Sequence, residues 1–232
     1  MHSGEILGKK LLIITAHPDD ESYFAAGTVY ANKQAGGTTD LICATRGEKG
    51  VSHLINPVEE DELKDIRARE LQNAAKIIGI NKLIHLDYPD GKVMENESKL
   101  FDGITELLPA LNPELILSFG PDGITGHRDH IAVSNVAQKI AKTNNLQLIK
   151  ACVPSAIFDS AKSWLKTRKR TKDHYEDEYE LSPSNLSIPI DGEVKLQALH
   201  CYVSQLDAND PFRGFPDEVA ENFLKEECFC TD

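Results

Sequence analysis

Lys10-Leu11-Leu12-Ile13-Ile14-Thr15-Ala16-His17-Pro18-Asp19-Asp20-Glu21 is the stretch that decides the fold. Its first half is a short apolar run bounded by charge and reads as a buried strand. Ser22-Tyr23-Phe24-Ala25-Ala26-Gly27-Thr28-Val29 then reads as a helix that opens with acids in its first turn. One histidine and three carboxylates therefore stand where a strand ends and a helix begins. In open α/β sheets ligands bind at that point. Three adjacent acids repel one another and cost stability unless a cation neutralises them. His17 and Asp20, three residues apart, can be aimed at one divalent ion of the zinc type. Asp19 is then left for proton transfer. The competing reading is that Asp19, Asp20 and Glu21 only cap the helix.

Working outward, residues 39–45 read as a second strand, and Gly36-Gly37 separates it from the first helix. The clearest helix is Glu60–Ile78, where Leu63, Ile66, Leu71, Ala74, Ala75 and Ile78 keep a period near 3.6 and Gly79 stands at the C′ position. Residues 82–86 form a third strand, followed by a Pro89-Asp90-Gly91 turn. A helix at 100–111, a fourth strand at 115–119, a helix at 129–141 and a fifth strand at 146–153 follow. This alternation predicts an α/β fold with a mostly parallel sheet, right-handed crossovers and helices on both faces. Residues 187–190 read as a further strand, and 193–204 and 216–225 as helices.

His127-Arg128-Asp129-His130 also lies between a strand and a helix. Two such clusters, after strands one and four, converge at the C-terminal edge of one parallel sheet, and capping alone does not account for both. His17, Asp20 and one of the two histidines supply three protein ligands. The fourth position stays open for water, the layout of a catalytic zinc site. Zinc lowers the pKa of its water to about 7. Asp19 can take the proton, the spare histidine can donate one, and Asp129 can orient a ring N–H from behind. These parts describe metal-assisted hydrolysis of an amide or ester.

The chain has 232 residues, no linker and no internal repeat, and is read as one domain. A formal net charge of −12 argues against nucleic acid or an anionic membrane as partner. Met1-His2-Ser3-Gly4-Glu5 lacks the features of a signal peptide, and the apolar runs are strand-length, which predicts no membrane insertion. Cys43, Cys152, Cys201, Cys228 and Cys230 are scattered and odd in number, and are read as reduced, mostly buried thiols of a cytoplasmic protein. Residues 166–172 are basic and 173–180 acidic; a solvated loop is the first reading and a flap over the site the second.

Ala16-His17-Pro18-Asp19-Asp20-Glu21 and Gly126-His127-Arg128-Asp129-His130 together resemble the PIG-L/LmbE-like zinc-dependent deacetylases, which remove acetyl groups from N-acetylglucosaminyl conjugates. Ala44-Thr45-Arg46-Gly47-Glu48, Arg67 with Glu70-Leu71, Leu86-Asp87-Tyr88-Pro89-Asp90-Gly91 and Ser204-Gln205 extend the resemblance over about residues 10–205. It implies a Rossmann-like core over that span with 206–232 as a C-terminal extension. It also implies one Zn2+ per chain, with Fe2+ as the alternative, held by His17, Asp20 and His130. Asp19 becomes the general base and His127 the electrophilic or acid partner. Arg67 and Asp90 become contacts to the sugar near the site mouth. A small sugar conjugate as substrate and a trimeric or hexameric assembly are implied too. The chain departs from many members at Thr125, where they carry Tyr, and at Tyr202, where they carry His. Two other classes fit the sequence less well. A nucleotide-binding module needs Gly-x-Gly-x-x-Gly after the first strand, where this chain has His-Pro-Asp-Asp-Glu. A metal phosphohydrolase needs two metals and more bridging carboxylates.

Overall fold

In the computed structural model, which describes residues 6–167 and 184–231, Leu11, Leu12, Ile13 and Ile14 of β1 (Lys10–Thr15) are wholly buried. A continuous apolar strand is stable only where both faces of the sheet are covered, so β1 sits at the centre. It pairs in parallel with β2 (Thr38–Thr45) on one side and β4 (Leu115–Phe119) on the other, with Ile13 flanked by Leu41 and Leu117. β3 (Lys82–Tyr88) extends the sheet beyond β2, and β5 (Gln147–Ala151) extends it beyond β4, both in parallel. β7 (Glu226–Thr231) and β6 (Leu186–Pro189) complete the far edge, giving the order β3-β2-β1-β4-β5-β7-β6. β7 runs antiparallel to both of its neighbours, β5 and β6. The order reverses between β1 and β4, so the switch point of the sheet lies between the two strands that lead into the histidine motifs.

The helices are α1 (Asp20–Phe24), α2 (Ala26–Gln34), α3 (Glu60–Ile78), α4 (Glu97–Leu111), α5 (Arg128–Asn144), α6 (Phe158–Thr167), α7 (Gly192–Leu199) and α8 (Asp217–Phe223). α2 and α3 pack with α7, and α4 packs with α5. Right-handed crossovers moving in opposite directions from the switch point put these groups on opposite faces. Among the described residues no helix is long and apolar enough to cross a membrane.

Three expectations change. The first helix is broken at Ala25, whose φ of −141° is not helical, so α1 is a single turn holding the acids. Residues 206–232 are not an appendage, because β7 is inserted between β5 and β6. Glu227 on β7 is buried and accepts from the Gly27 and Thr28 N–H groups at 3.0 and 2.7 Å, and from Lys195 Nζ at 3.1 Å. It thus satisfies two orphan donors at the start of α2. The chain here is so close that a Cβ on Gly27 would fall 2.3 Å from Ile190 Cβ. Finally, the cysteines are not all thiols: Cys152 and Cys230 form a disulfide, Cα–Cα 6.0 Å, which the pairing of β5 with β7 makes reachable across 78 residues. Cys43 and Cys228 are buried thiols and Cys201 a half-buried one. Past Thr167, the charged run of 166–180 lies outside the described residues.

Candidate metal centre and active site

The turn after β1 closes on Asp20, whose Oδ2 accepts from the Ala16 and His17 N–H groups at 3.1 and 2.7 Å. Its Oδ1 is thereby left facing the second motif. Asp19 holds the αL region, φ 111° and ψ −28°, a conformation that costs a non-glycine residue about 1–3 kcal/mol. Glu21 Oε2 accepts its N–H at 3.3 Å, and Asp19 O accepts from Ser22 N and Tyr23 N at 2.9 and 3.1 Å. Glu21 is fully buried and takes hydrogen bonds from the Ser22 and Tyr202 hydroxyls. Burial pushes Glu21 up to about 7, those two hydrogen bonds opposing it. Tyr202, one of the two departures from the resemblance, therefore serves the back of the first motif. The other departure, Thr125, lines the cavity described below.

The turn after β4 delivers the second motif. His127 is the N-cap of α5, its Nδ1 accepting from Asp129 N at 3.2 Å, so its proton belongs on Nε2. One turn on, His130 Nδ1 lies 3.0 Å from Gly123 O and must donate there, which leaves the Nε2 lone pair pointing inward. That lone pair is 3.2 Å from Asp20 Oδ1 and 3.2 Å from His17 Nδ1. The other His17 nitrogen, Nε2, faces Asp90 Oδ1 at 3.1 Å and Asp129 Oδ2 at 3.4 Å.

Three acceptor atoms thus converge: His17 Nδ1, Asp20 Oδ1 and His130 Nε2. Donor atoms 2.0–2.1 Å from a tetrahedral ion stand about 3.3–3.4 Å apart, so the spacing fits a small divalent cation. The charge balance fits as well. Burial disfavours a charged His17, but Asp129 and Asp90 outweigh it and hold its pKa well above the usual value. Burial also works against the Asp20 carboxylate, and the two histidines outweigh it, holding Asp20 well below the ordinary range. The pocket is built to hold positive charge. Other donor sets also cluster: ligand atoms of His17, His127 and His130 lie within 4.8 Å of one another, and so do those of His17, Asp90 and Asp129.

The remaining expected site residues fall as follows. Asp129, wholly buried, stands behind His17 rather than behind its own neighbours, and is fixed by the Gly91 and Val93 N–H groups at 2.7 and 3.1 Å. Asp90 does not stand at the mouth. It is buried, faces His17 and accepts from Lys49 N at 3.0 Å. Arg67 is not at the mouth either. It is 4% exposed and donates to Gly47 O at 2.7 Å, to Pro18 O, and to Asp19 Oδ2 at 2.9 Å. Gly47, at φ +68°, is a glycine because a Cβ there would lie 2.1 Å from Arg67 Nη1. Burial lifts the Asp19 carboxyl to about 6, against the pull of the Arg67 charge. One turn along α3, Glu70 accepts from Ser204 N at 2.7 Å and Oγ at 2.6 Å, tying the arginine's helix to the turn after α7. The sequence marked Glu21, Glu70 and Ser204 as motif members and Tyr202 as a departure, but carried no sign of these pairings.

All of this lies at one end of a cavity of about 430 Å3. His17, Asp19, Asp20, His127 and His130 line that end, and Trp164, Phe215 and Phe223 line the other.

The PIG-L family model, described as GlcNAc-PI de-N-acetylase, matches residues 12–141. A probable N-acetyl-alpha-D-glucosaminyl L-malate deacetylase 2 of Bacillus anthracis is 38% identical over 138 residues, which are 57% of this chain and 60% of that protein. The chain therefore spans less than two thirds of that relative's length. Among solved structures, N,N'-diacetylchitobiose deacetylase from Pyrococcus horikoshii superimposes with a TM-score of 0.67 at 20% identity, covering 97% of this chain and 84% of that one. A 4-carboxy-2-hydroxymuconate hydratase from Pseudomonas putida does so with 0.65 at 17%, covering 96% and 95%. These two likenesses bear on the fold alone, since the same architecture carries a hydrolase and a hydratase.

Proposed function

The chain belongs to the PIG-L family, and from that premise we propose that it is a divalent-metal-dependent hydrolase that removes the N-acetyl group from an N-acetylglucosamine-type sugar conjugate. The observation that carries the reading is the convergence of His17 Nδ1, Asp20 Oδ1 and His130 Nε2 beside Asp19 and His127. His17, Asp20 and His130 would hold the ion, and Asp90 and Asp129 fix the His17 ring from its other nitrogen. When bound, zinc or iron supplies Lewis acidity, which polarises an acyl oxygen and makes water more acidic. Asp19 takes the proton as water adds to the acetyl carbon, and Arg67 keeps that carboxylate in place. His127 donates from Nε2 to the amine nitrogen as the carbon–nitrogen bond breaks, and acetate and the free amino sugar leave. The relative's 38% identity supports this substrate class.

The test is acetate release. Metal-loaded protein is incubated with a panel of N-acetylglucosaminyl conjugates, with elemental analysis of the same sample. Acetate formed in equal amount to free amine, at one metal per chain, supports the reading. No acetate from any member of the panel would sink it.

A further inference from the structure

The end of the cavity away from the histidines is aromatic. Trp164 lies 4.3 Å from Phe215 between ring centroids, Phe223 lies 6.2 Å from Phe215, and Tyr23 is parallel to Phe215 at 6.5 Å. Val153 and Val219 are buried among them and line the same wall. The polar tips of these rings are turned to the protein's own backbone. Trp164 Nε1 donates to Gly214 O at 2.7 Å, and the Tyr23 hydroxyl donates to Pro211 O at 2.9 Å. Among the described residues, the cation lining this end is Lys195, which is wholly buried against Glu227 at 3.1 Å. At the polar end Arg67 is held by Asp19 and two carbonyls, and Lys49 lines the cavity beside Asp90, away from the rings.

A pyranose carries hydroxyls on most of its carbons and needs hydrogen-bonding groups around it. The polar end supplies them and the aromatic end does not. A carboxylate carried to the aromatic end would be desolvated beside Glu227 with no uncommitted cation among the described residues that line it, which is costly. An aryl or alkyl group would instead meet flat, dry faces of the kind that bind such groups. We propose that this aromatic wall is the subsite for the group on the anomeric oxygen, and that the chain takes N-acetylamino sugars whose aglycone is an uncharged aryl or alkyl group. The proposal rests on the deacetylase reading above. It sets this chain apart from a relative whose name specifies an L-malate conjugate.

Trp164 is the only tryptophan among 232 residues, so its emission reports on the wall independently of turnover. The full-length, metal-loaded chain is given the methyl, benzyl and L-malyl 2-acetamido-2-deoxy-α-D-glucopyranosides. Acetate release and tryptophan emission are followed in parallel. The expected result is kcat/KM for the benzyl glycoside at least tenfold above both others, with a saturable emission change for benzyl alone. Phe215→Ala should reduce the benzyl-to-methyl ratio at least threefold, and the ligand series on the unmodified chain stands without it. Equal rates for methyl and benzyl, or preference for the malyl conjugate, overturns the subsite while the deacetylase reading survives. A saturable emission change with benzyl but no acetate from any glycoside upholds the subsite and removes the deacetylase reading. Neither acetate nor an emission change overturns both.

Discussion

The two ends of the cavity differ in how their side chains are held. At the polar end the charged groups are buried and most are committed more than once: Asp20 to two backbone N–H groups and His130, Asp129 to two N–H groups and His17, Arg67 to two carbonyls and Asp19. At the aromatic end the contacts are ring on ring, and the polar atoms are retired onto nearby carbonyls. The family match, residues 12–141, takes in the histidine and aspartate motifs but stops before Trp164, Phe215 and Phe223. Removing a partner from the first kind of network strands a desolvated charge, whereas removing a ring from the second loses contact area in proportion. The charged network therefore lies in the part shared with the family, and the aromatic wall lies largely beyond it.

The difference can be broken most severely at His130. His130→Ala removes a ligand and should empty the site, so elemental analysis finds little metal and acetate release falls by more than loss of a base would cause. Full metal occupancy in this variant would remove it from the donor set. Next in size is Asp19→Asn, which keeps shape and charge-independent packing. Metal should stay bound while kcat falls by about 10²–10⁴, the usual worth of a general base. Unchanged kcat would hand the proton transfer to another group.

Arg67→Ala should have a smaller kinetic effect, about tenfold in kcat/KM, equal to about 1.4 kcal/mol of transition-state binding. Because Arg67 grips Asp19 rather than reaching the mouth, the loss should fall on kcat more than on KM, and Tm should drop as well. A pure KM effect would return Arg67 to the role of sugar contact. The least effect on the chemistry is expected from Cys230→Ser. It opens a 78-residue link and should cost about 2–4 kcal/mol in urea unfolding, with metal content and kcat for the methyl glycoside retained. A loss of metal here would show that the two ends are not separable.

The first five strands and their alternating helices were legible because each strand is an apolar run and α3 keeps a clean 3.6 period. The meeting of the two histidine motifs was legible because both fall at strand ends on the same sheet edge. β7 was not. Glu226-Glu227-Cys228-Phe229-Cys230-Thr231 opens with two acids, and hydropathy cannot reveal that Glu227 is buried to meet helix N–H groups and a lysine. With β7 unseen, the partner of Cys152 was unseen too. The protein partners of Asp90 and Arg67 were unseen for a related reason. Residue type announces a charged group's chemistry but not whether its partner is a substrate or a neighbour.

Glu227 has a consequence in time as well as in space. By residue 130 a growing chain has already acquired His17, Asp20 and His130. The N–H groups of Gly27 and Thr28, at the head of the helix behind the first motif, still wait for an acceptor that is synthesised some 200 residues after them. Contacts of such sequence separation form late, because a long loop must close before they return any free energy. A nascent chain therefore holds both histidine motifs well before it can hold them still, and the first of them is braced only when residues 226–231 slip between two strands that are already waiting.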